Sequence, residues 1–295
     1  MMSNDHYPGL YRCADSASLN AQRTYLCLNK LYLGSLVVGS AVGATATLGM
    51  SVWNMWSFTI MAIILVLGLL ILWIMRARSD DKIWFDGRAI AESVKTASWR
   101  FMMKVPPYQE DNKVEELFIS QLKEIREARP HMGKCLAAVQ DSGGSSITDF
   151  MREKRTATLE DRKKFYVNDR LADQRSWYAR RAKQNATSSI RWFWIVAGLQ
   201  ITAIVLAIIQ AKGLNINIVP VITTSVAAFA AWGQMKRYDE LAQSYYLAAQ
   251  ELEDLESLAC SQTTVEEFTQ LVEQAENSIS REHTMWCARR DVRLT

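Results

Sequence analysis

His283 and Cys287 stand four residues apart, a spacing that puts two metal-ligating side chains on one helix face. A zinc site needs three or four ligands, and no such set accompanies this pair. The chain has only three histidines, His6, His131 and His283. Its five cysteines, Cys13, Cys27, Cys135, Cys260 and Cys287, are odd in number and form no CxxC pair. They read as reduced thiols on the cytosolic side rather than a disulfide framework. No metal or cofactor is expected. Arg88 and Glu92 are also four apart and read as a solvated helix pair worth a few tenths of a kcal/mol at most. Lys154-Arg155 and Arg162-Lys163-Lys164 are basic clusters. They suit an anionic lipid, an anionic nucleotide or simply a solvated face. GxGxxG, P-loop, GxSxG and HExxH motifs are absent, and the carboxylates form no recognisable acid–base pair. An enzyme is not expected.

A second set of residues does its work by being small. Ser35, Gly39, Gly43 and Thr47 recur every fourth position, a ridge that lets helices approach closely. Gln200 and Thr202 lie in another apolar stretch, and Thr223, Thr224 and Ser225 precede Ala227, Ala228, Ala230 and Ala231 in a third. Two readings stay open. These residues pack helices together, or some of them line a water-filled path in an oligomer. None of the expected spans contains an ionisable side chain, which argues against an ion-coupled pump or proton relay.

The segments carrying these residues are set by the charge pattern. Leu31 to Met75 is 45 residues without Asp, Glu, Lys or Arg, and Trp192 to Met235 is 44 residues with Lys212 alone. A span needs roughly 20 apolar residues, so each stretch has room for two and a turn. The expected spans are about 31–50, 56–75, 192–211 and 216–235, with turns at Ser51-Val52-Trp53-Asn54 and Lys212-Gly213-Leu214-Asn215. Span two is uniformly apolar and is expected to face lipid. Pro220 falls in the first turn of span four, where a missing N–H costs little. Lys and Arg flank the outer ends of all four spans, and Lys212 alone marks the other side. The termini and the middle region are therefore expected in the cytoplasm, with the chain multi-pass. A cleavable signal peptide is not expected, because the polar lead of 30 residues is too long.

The fold class that follows is an all-α integral membrane protein, with four transmembrane helices in two hairpins and long cytoplasmic helical segments. Asp141-Ser142-Gly143-Gly144-Ser145-Ser146 reads as a linker. It separates a first two-span unit, 1–140, from a second, 149–295, across residues 141–148. Ile83, Ile90, Val94, Ala97 and Phe101 recur at helical spacing, as do Val114, Leu117, Gln121 or Leu122, Ile125 and Ala128. Asp149 to Ala157 is expected to be a short helix. No Pro or Gly separates Leu171 from span three, so one long helix is expected there. Tyr238, Leu241, Tyr245, Ala248, Leu252, Leu255 and Ala259 form a heptad seam, pairing within one subunit or between subunits. Thr263 with Glu266, or Thr264 with Glu267, offers a capping box for a following helix with Val265, Phe268, Val272, Ala275 and Ile279 on one face.

The string after span two carries Trp84, Gly87-Arg88-Ala89, Ala91-Glu92-Ser93, Lys95 and Trp99-Arg100. It resembles one branch of the SLATT family, two-span membrane effectors of bacterial conflict systems. Arg170, Asp173-Gln174, Trp177-Tyr178, Ala182 and Asn185 resemble a second branch, together with Arg237, Glu240-Leu241-Ala242, Tyr245, Glu282-His283, Trp286 and Arg289-Arg290. The resemblance covers nearly the whole chain as two units in tandem. It implies a pore-forming or membrane-disrupting role in antiphage defence by abortive infection. It also implies a homo-oligomer and a trigger from a nucleotide second messenger or a nucleotide-sensing partner. A non-conducting scaffold or receptor using its cytoplasmic helices is the alternative. The net charge of +3 is too small to suggest nucleic-acid binding.

Overall fold

The computed structural model describes residues 2–46, 51–139, 145–213, 218–259 and 264–291. Among them every regular element is helical. The helices are α1 (Gly9–Thr45), α2 (Ser51–Arg78), α3 (Asp80–Met103), α4 (Val114–Glu127), α5 (Gly133–Val139), α6 (Asp149–Thr156), α7 (Leu159–Tyr166), α8 (Ala172–Ala211), α9 (Val219–Lys236), α10 (Tyr238–Ala259) and α11 (Val265–Asp291). A π-helical turn, Val167–Leu171, joins α7 to α8.

Three helical runs are long and apolar enough to cross a membrane: Gly9–Thr45, Met55–Met103 and Leu159–Ala211. Only 6% of the most apolar window of each is buried, so protein does not cover these surfaces. Helix α9 stands where the fourth span is expected and is 18 residues long. Its Pro220, Thr223, Thr224, Ser225 and Gln234 dilute the apolar character, and it is not among the three.

One expected turn moves, while the other begins where it is expected, with Lys212 and Gly213 in a turn directly after α8. Ser51 to Asn54 are the first residues of α2, not a turn. Helix α1 ends at Thr45, and Thr47 to Met50 lie outside the described residues. After α8, Gly213 takes φ +95°, a left-handed conformation that favours glycine, while Leu214 and Asn215 lie outside the described set.

The chain divides into two compact units that do not follow the order of the sequence. One, the bundle unit, comprises Met1–Gln22, Asp81–Ala182 and Gln243–Thr295; the other, the apolar unit, comprises Arg23–Asp80 and Lys183–Ala242. Each draws on both halves of the chain.

The bundle unit has a conventional core. Ile90, Val94, Ala97 and Phe101 of α3 are buried as their spacing requires, with Trp99, Met102 and Met103 beside them. On α4 the buried face is Val114, Phe118 and Leu122, whereas Leu117 is exposed; the four-residue step, not the three-residue one, faces the core. The C-terminal part of the heptad seam of α10 closes inside the chain. Ala248, Leu252, Leu255 and Ala259 belong to one buried cluster with Phe268, Leu271, Val272, Ala275 and Ile279 of α11. Thr264 and Glu267 form the capping box, each side chain bonding the other's backbone N–H at 3.1 and 3.2 Å. Helix α6 begins where Thr148 Oγ1 accepts the Met151 N–H, and the same hydroxyl donates to the His6 carbonyl at 2.8 Å. Gly87 allows α3 to approach α1, because a Cβ there would lie 3.1 Å from the Ala14 carbonyl oxygen and the Ser18 Cβ.

In both halves the second apolar helix ends on one left-handed residue. Ser79 (φ 49°) separates α2 from α3, and Arg237 (φ 50°) separates α9 from α10. Each N–H closes on the carbonyl four residues back, Met75 and Gly233, at 3.1 Å. The two halves thus repeat a plan of long helix, apolar helix, one-residue break and amphipathic helix, without a clear sequence repeat.

Candidate functional site

Within the apolar unit, α1 and α2 pack antiparallel through the small-residue ridge. A Cβ on Gly68 would meet Ser35 Oγ at 2.8 Å; one on Gly39 would meet Ile64 and Leu65 at 3.6 and 3.7 Å; one on Gly43 would meet the Met61 sulfur at 2.7 Å. As the α1 number rises by four, the α2 number falls by about four, which fixes the register. Thr45 Oγ1 lies 3.3 Å from the Oγ of Ser57, which is buried. Ser35, Gly39 and Gly43 therefore line a contact inside the chain, and Thr47 lies outside the described residues. Helix α2 is not apolar to lipid on every side. Ser57 and Gly68 are buried, while Leu67, Leu69 and Leu70 are at least half exposed.

Four hydroxyls of α8 and α9 bond back to their own helices. Thr202 Oγ1 donates to the Gly198 carbonyl at 2.9 Å, Thr223 and Thr224 to that of Pro220 at 3.0 and 2.8 Å, and Ser225 to that of Val221 at 2.8 Å. Such back-bonding removes the cost of a bare hydroxyl in hydrocarbon. Gln200, Thr202 and Thr223 are exposed, and Thr224 and Ser225 are half-buried. Ala203 of α8 and Ala228 of α9 are buried, and Trp192 packs on Phe229 at 5.4 Å.

The bundle unit holds a buried polar centre. Glu276 of α11 is wholly buried and accepts four hydrogen bonds: from Arg170 Nε (2.8 Å) and Nη2 (2.7 Å), Tyr166 Oη (3.1 Å) and Thr96 Oγ1 (2.9 Å). Arg170 sits on the π turn, 1% exposed, with its guanidinium 5.8 Å from the centre of the Trp99 ring. The extra residue of a π turn re-aims a side chain, and here it presents Arg170 to Glu276. Trp99 is buried, donates from Nε1 to Tyr7 Oη at 3.0 Å, and packs against Phe165 and Tyr166. Burial pushes the Tyr7 and Tyr166 phenols up, so both stay neutral, Tyr7 accepting from Trp99 and Tyr166 donating to Glu276.

The sequence-selected residues gather around this centre in part. Trp99 belongs to it. Arg100 donates to Asn277 at 2.8 Å, next to Glu276. Trp84 gives its carbonyl to Ser18 Oγ at 2.9 Å. Arg88 and Glu92 pair at 2.8 Å, but the pair is not simply solvated, since the Glu92 side chain is only 17% exposed. Tyr11, Asp15 and Lys95 share their field. Burial first, then Glu92, raises the Asp15 pKa against the pull of Arg88 and Lys95; burial lowers that of Lys95. Burial, with Asp15 and Glu92 adding, pushes Tyr11 up to about 12. Gln174 donates to Asp173 at 3.4 Å, and Trp177 and Tyr178 both pack on Tyr245, at 5.4 and 5.6 Å. Glu282 and Trp286 lie on α11, as do His283 and Cys287, and their side chains are outside the described set. Among the described residues no group of three potential ligands could hold a metal.

Two family models match the chain in tandem. SMODS and SLOG-associating 2TM effector domain 3 matches residues 8–163, more than half of the chain, and effector domain 1 of the same series matches 166–286. The chain belongs to the SLATT family. No protein of curated function and no solved structure matches it. The boundary between the two SLATT domains falls at 163–166, at the end of α7 and just before the π turn. Trp99 and Thr96 thus come from one domain and Arg170 and Glu276 from the other, and the polar centre joins both.

Glu276 is the functional-looking residue that spacing could have found. It stands four residues after Val272 and three before Ile279, an acid on the apolar face of its helix. Its partner Arg170 is visible only as part of the family pattern.

Proposed function

We propose that this membrane effector inserts four helices, assembles as a homo-oligomer, and opens a path through the bacterial inner membrane or disrupts it in antiphage defence. The observation carrying the reading is the pairing of uncovered apolar helices, free of ionisable side chains in the expected spans, with two SLATT domains. Helix α9 serves as the fourth span, and both termini face the cytoplasm because Lys and Arg flank the outer ends of every span. The self-bonded hydroxyls of α8 and α9 are available to face a partner helix or water without a stranded donor. The bundle unit offers its surface to a nucleotide second messenger or a nucleotide-sensing partner.

The test is membrane potential, read with a voltage-sensitive dye after induced expression, alone and with the neighbouring gene products plus a nucleotide trigger. Depolarisation by the wild type, and not by Gly39→Leu expressed equally in the membrane, is the expected result. Full potential under every condition would overturn the pore and leave the non-conducting scaffold.

A further inference from the structure

Lys30 and Lys236 are the charges that stand closest to the apolar runs at two different places in the sequence. Lys30 is the residue before the charge-free stretch that starts at Leu31, and Lys236 is the first charge after Lys212. The apolar unit brings them to one side chain. Lys30 Nζ and Lys236 Nζ each lie 5.4 Å from the centre of the Trp232 ring, so the two ammonium groups are less than 11 Å apart. Among the described residues neither has a carboxylate partner. The neighbouring Arg237 is already paired with Glu240.

Two like charges around one indole repel each other, and an indole face accepts none of the N–H bonds that each ammonium can donate. Six such donors remain for acceptors that the described residues do not supply. Lys30 is exposed, while Trp232 and Lys236 are half-buried. Trp192, in the middle of α8, stacks on Tyr238, the first residue of α10, in the same unit, adding aromatic rings beside the charged end of α9. Tryptophan beside lysine at the ends of apolar helices marks headgroup depth, where the abundant acceptor is phosphate.

We infer that Lys30, Lys236 and Trp232 hold the phosphodiester headgroup of an anionic phospholipid. The two ammonium groups donate to the phosphate oxygens, and the indole packs against the glycerol and the first acyl carbons. The site rests on the reading of α9 as a span, which places Lys236 at the bilayer edge.

The experiment uses the full chain reconstituted in nanodiscs of phosphatidylcholine doped with phosphatidylglycerol, with retained lipid counted by native mass spectrometry. Phosphatidylglycerol is expected to be retained over phosphatidylcholine. Lys30→Gln and Lys236→Gln should each weaken that retention about fivefold, while Lys212→Gln leaves it unchanged. Inorganic phosphate and glycerol phosphate should not displace the lipid. Equal retention of the two lipids, or no effect of either substitution, overturns the inference. Displacement by inorganic phosphate overturns it in favour of a soluble anion. A Lys212→Cys chain, probed in spheroplasts with a membrane-impermeant maleimide, separates the two levels. Labelling without lipid preference removes the headgroup site alone, and absence of labelling removes the four-span reading together with it.

Discussion

Removing Glu276 would leave a guanidinium buried without its counter-charge. Its carboxylate accepts from Arg170 Nε and Nη2, Tyr166 and Thr96 at once. Breaking a buried pair from one side costs about 3–5 kcal/mol, whereas replacing both partners by apolar groups is often neutral. Glu276→Ala should therefore lose about 3–5 kcal/mol in denaturant unfolding, and Arg170→Met with Glu276→Leu should recover most of it. A double variant as unstable as the single one would show that the pair contributes net attraction. Asp15 carries the pH dependence at this scale. Its pKa is raised in the folded state, so ionisation opposes folding. That penalty is present at neutral pH and vanishes below the unfolded-state pKa near 4. Asp15→Asn should accordingly raise Tm at pH 7.5 by about 1–3 °C, given the half-exposure of the group, and the gap should close as pH falls towards about 4. These residues were the least legible part of the sequence. Periodicity marks Glu276 only as an acid on an apolar face, and nothing local marks its partner, because Arg170 reaches it through a π turn that no spacing rule announces.

Elements were far more legible than side chains. Apolar runs, the long approach to span three, the short helix after Thr148 and the capping box at Thr264 all follow from local rules, and each stands where those rules put it. The errors share a cause. Ser51 to Asn54 look like turn formers but are recruited into α2, and Leu117 loses the core to Phe118 because tertiary packing chooses among the possible faces of a helix. Glycines show the same limit. Gly39 and Gly43 drew attention through their spacing, yet the added Cβ at Gly43 meets only the end of the flexible Met61 side chain, while Gly87 faces backbone. Gly87→Ala should cost about 1–3 kcal/mol by forcing α3 away from α1. Gly133→Ala, with nothing within 4 Å, should be neutral or gain up to about 1 kcal/mol. Thermal melts of the two variants check the contrast, and an equal loss in both would remove the close approach as its cause.

At the scale of the whole molecule, the tandem of SLATT domains in sequence does not translate into two bodies side by side. The bundle unit takes α3 from one domain and α11 from the other, with Thr96 donating to Glu276 and Arg100 to Asn277 across the join. Trp99 adds ring contacts to Phe165, which lies between the two matched ranges, and to Tyr166, the first residue of the second. A chain of residues 149–295 alone would keep the Arg170–Glu276 pair but lose Thr96, the Trp99 face and the core side chains of α3. Its α11 would then expose part of the face carrying Phe268, Leu271, Val272 and Ala275, which are buried in the full chain. Expressed separately, the halves 1–140 and 149–295 should each be cleaved rapidly in limited proteolysis. Co-expressed, they should co-purify and regain protection in α3 and α11, because the missing contacts need proximity and not a covalent link. Protection of 149–295 on its own, equal to that in the full chain, would mean that the contacts across the domain boundary contribute little. The duplication would then be two effectors joined end to end, whereas shared burial of Trp99 and Glu276 draws both domains into one bundle unit.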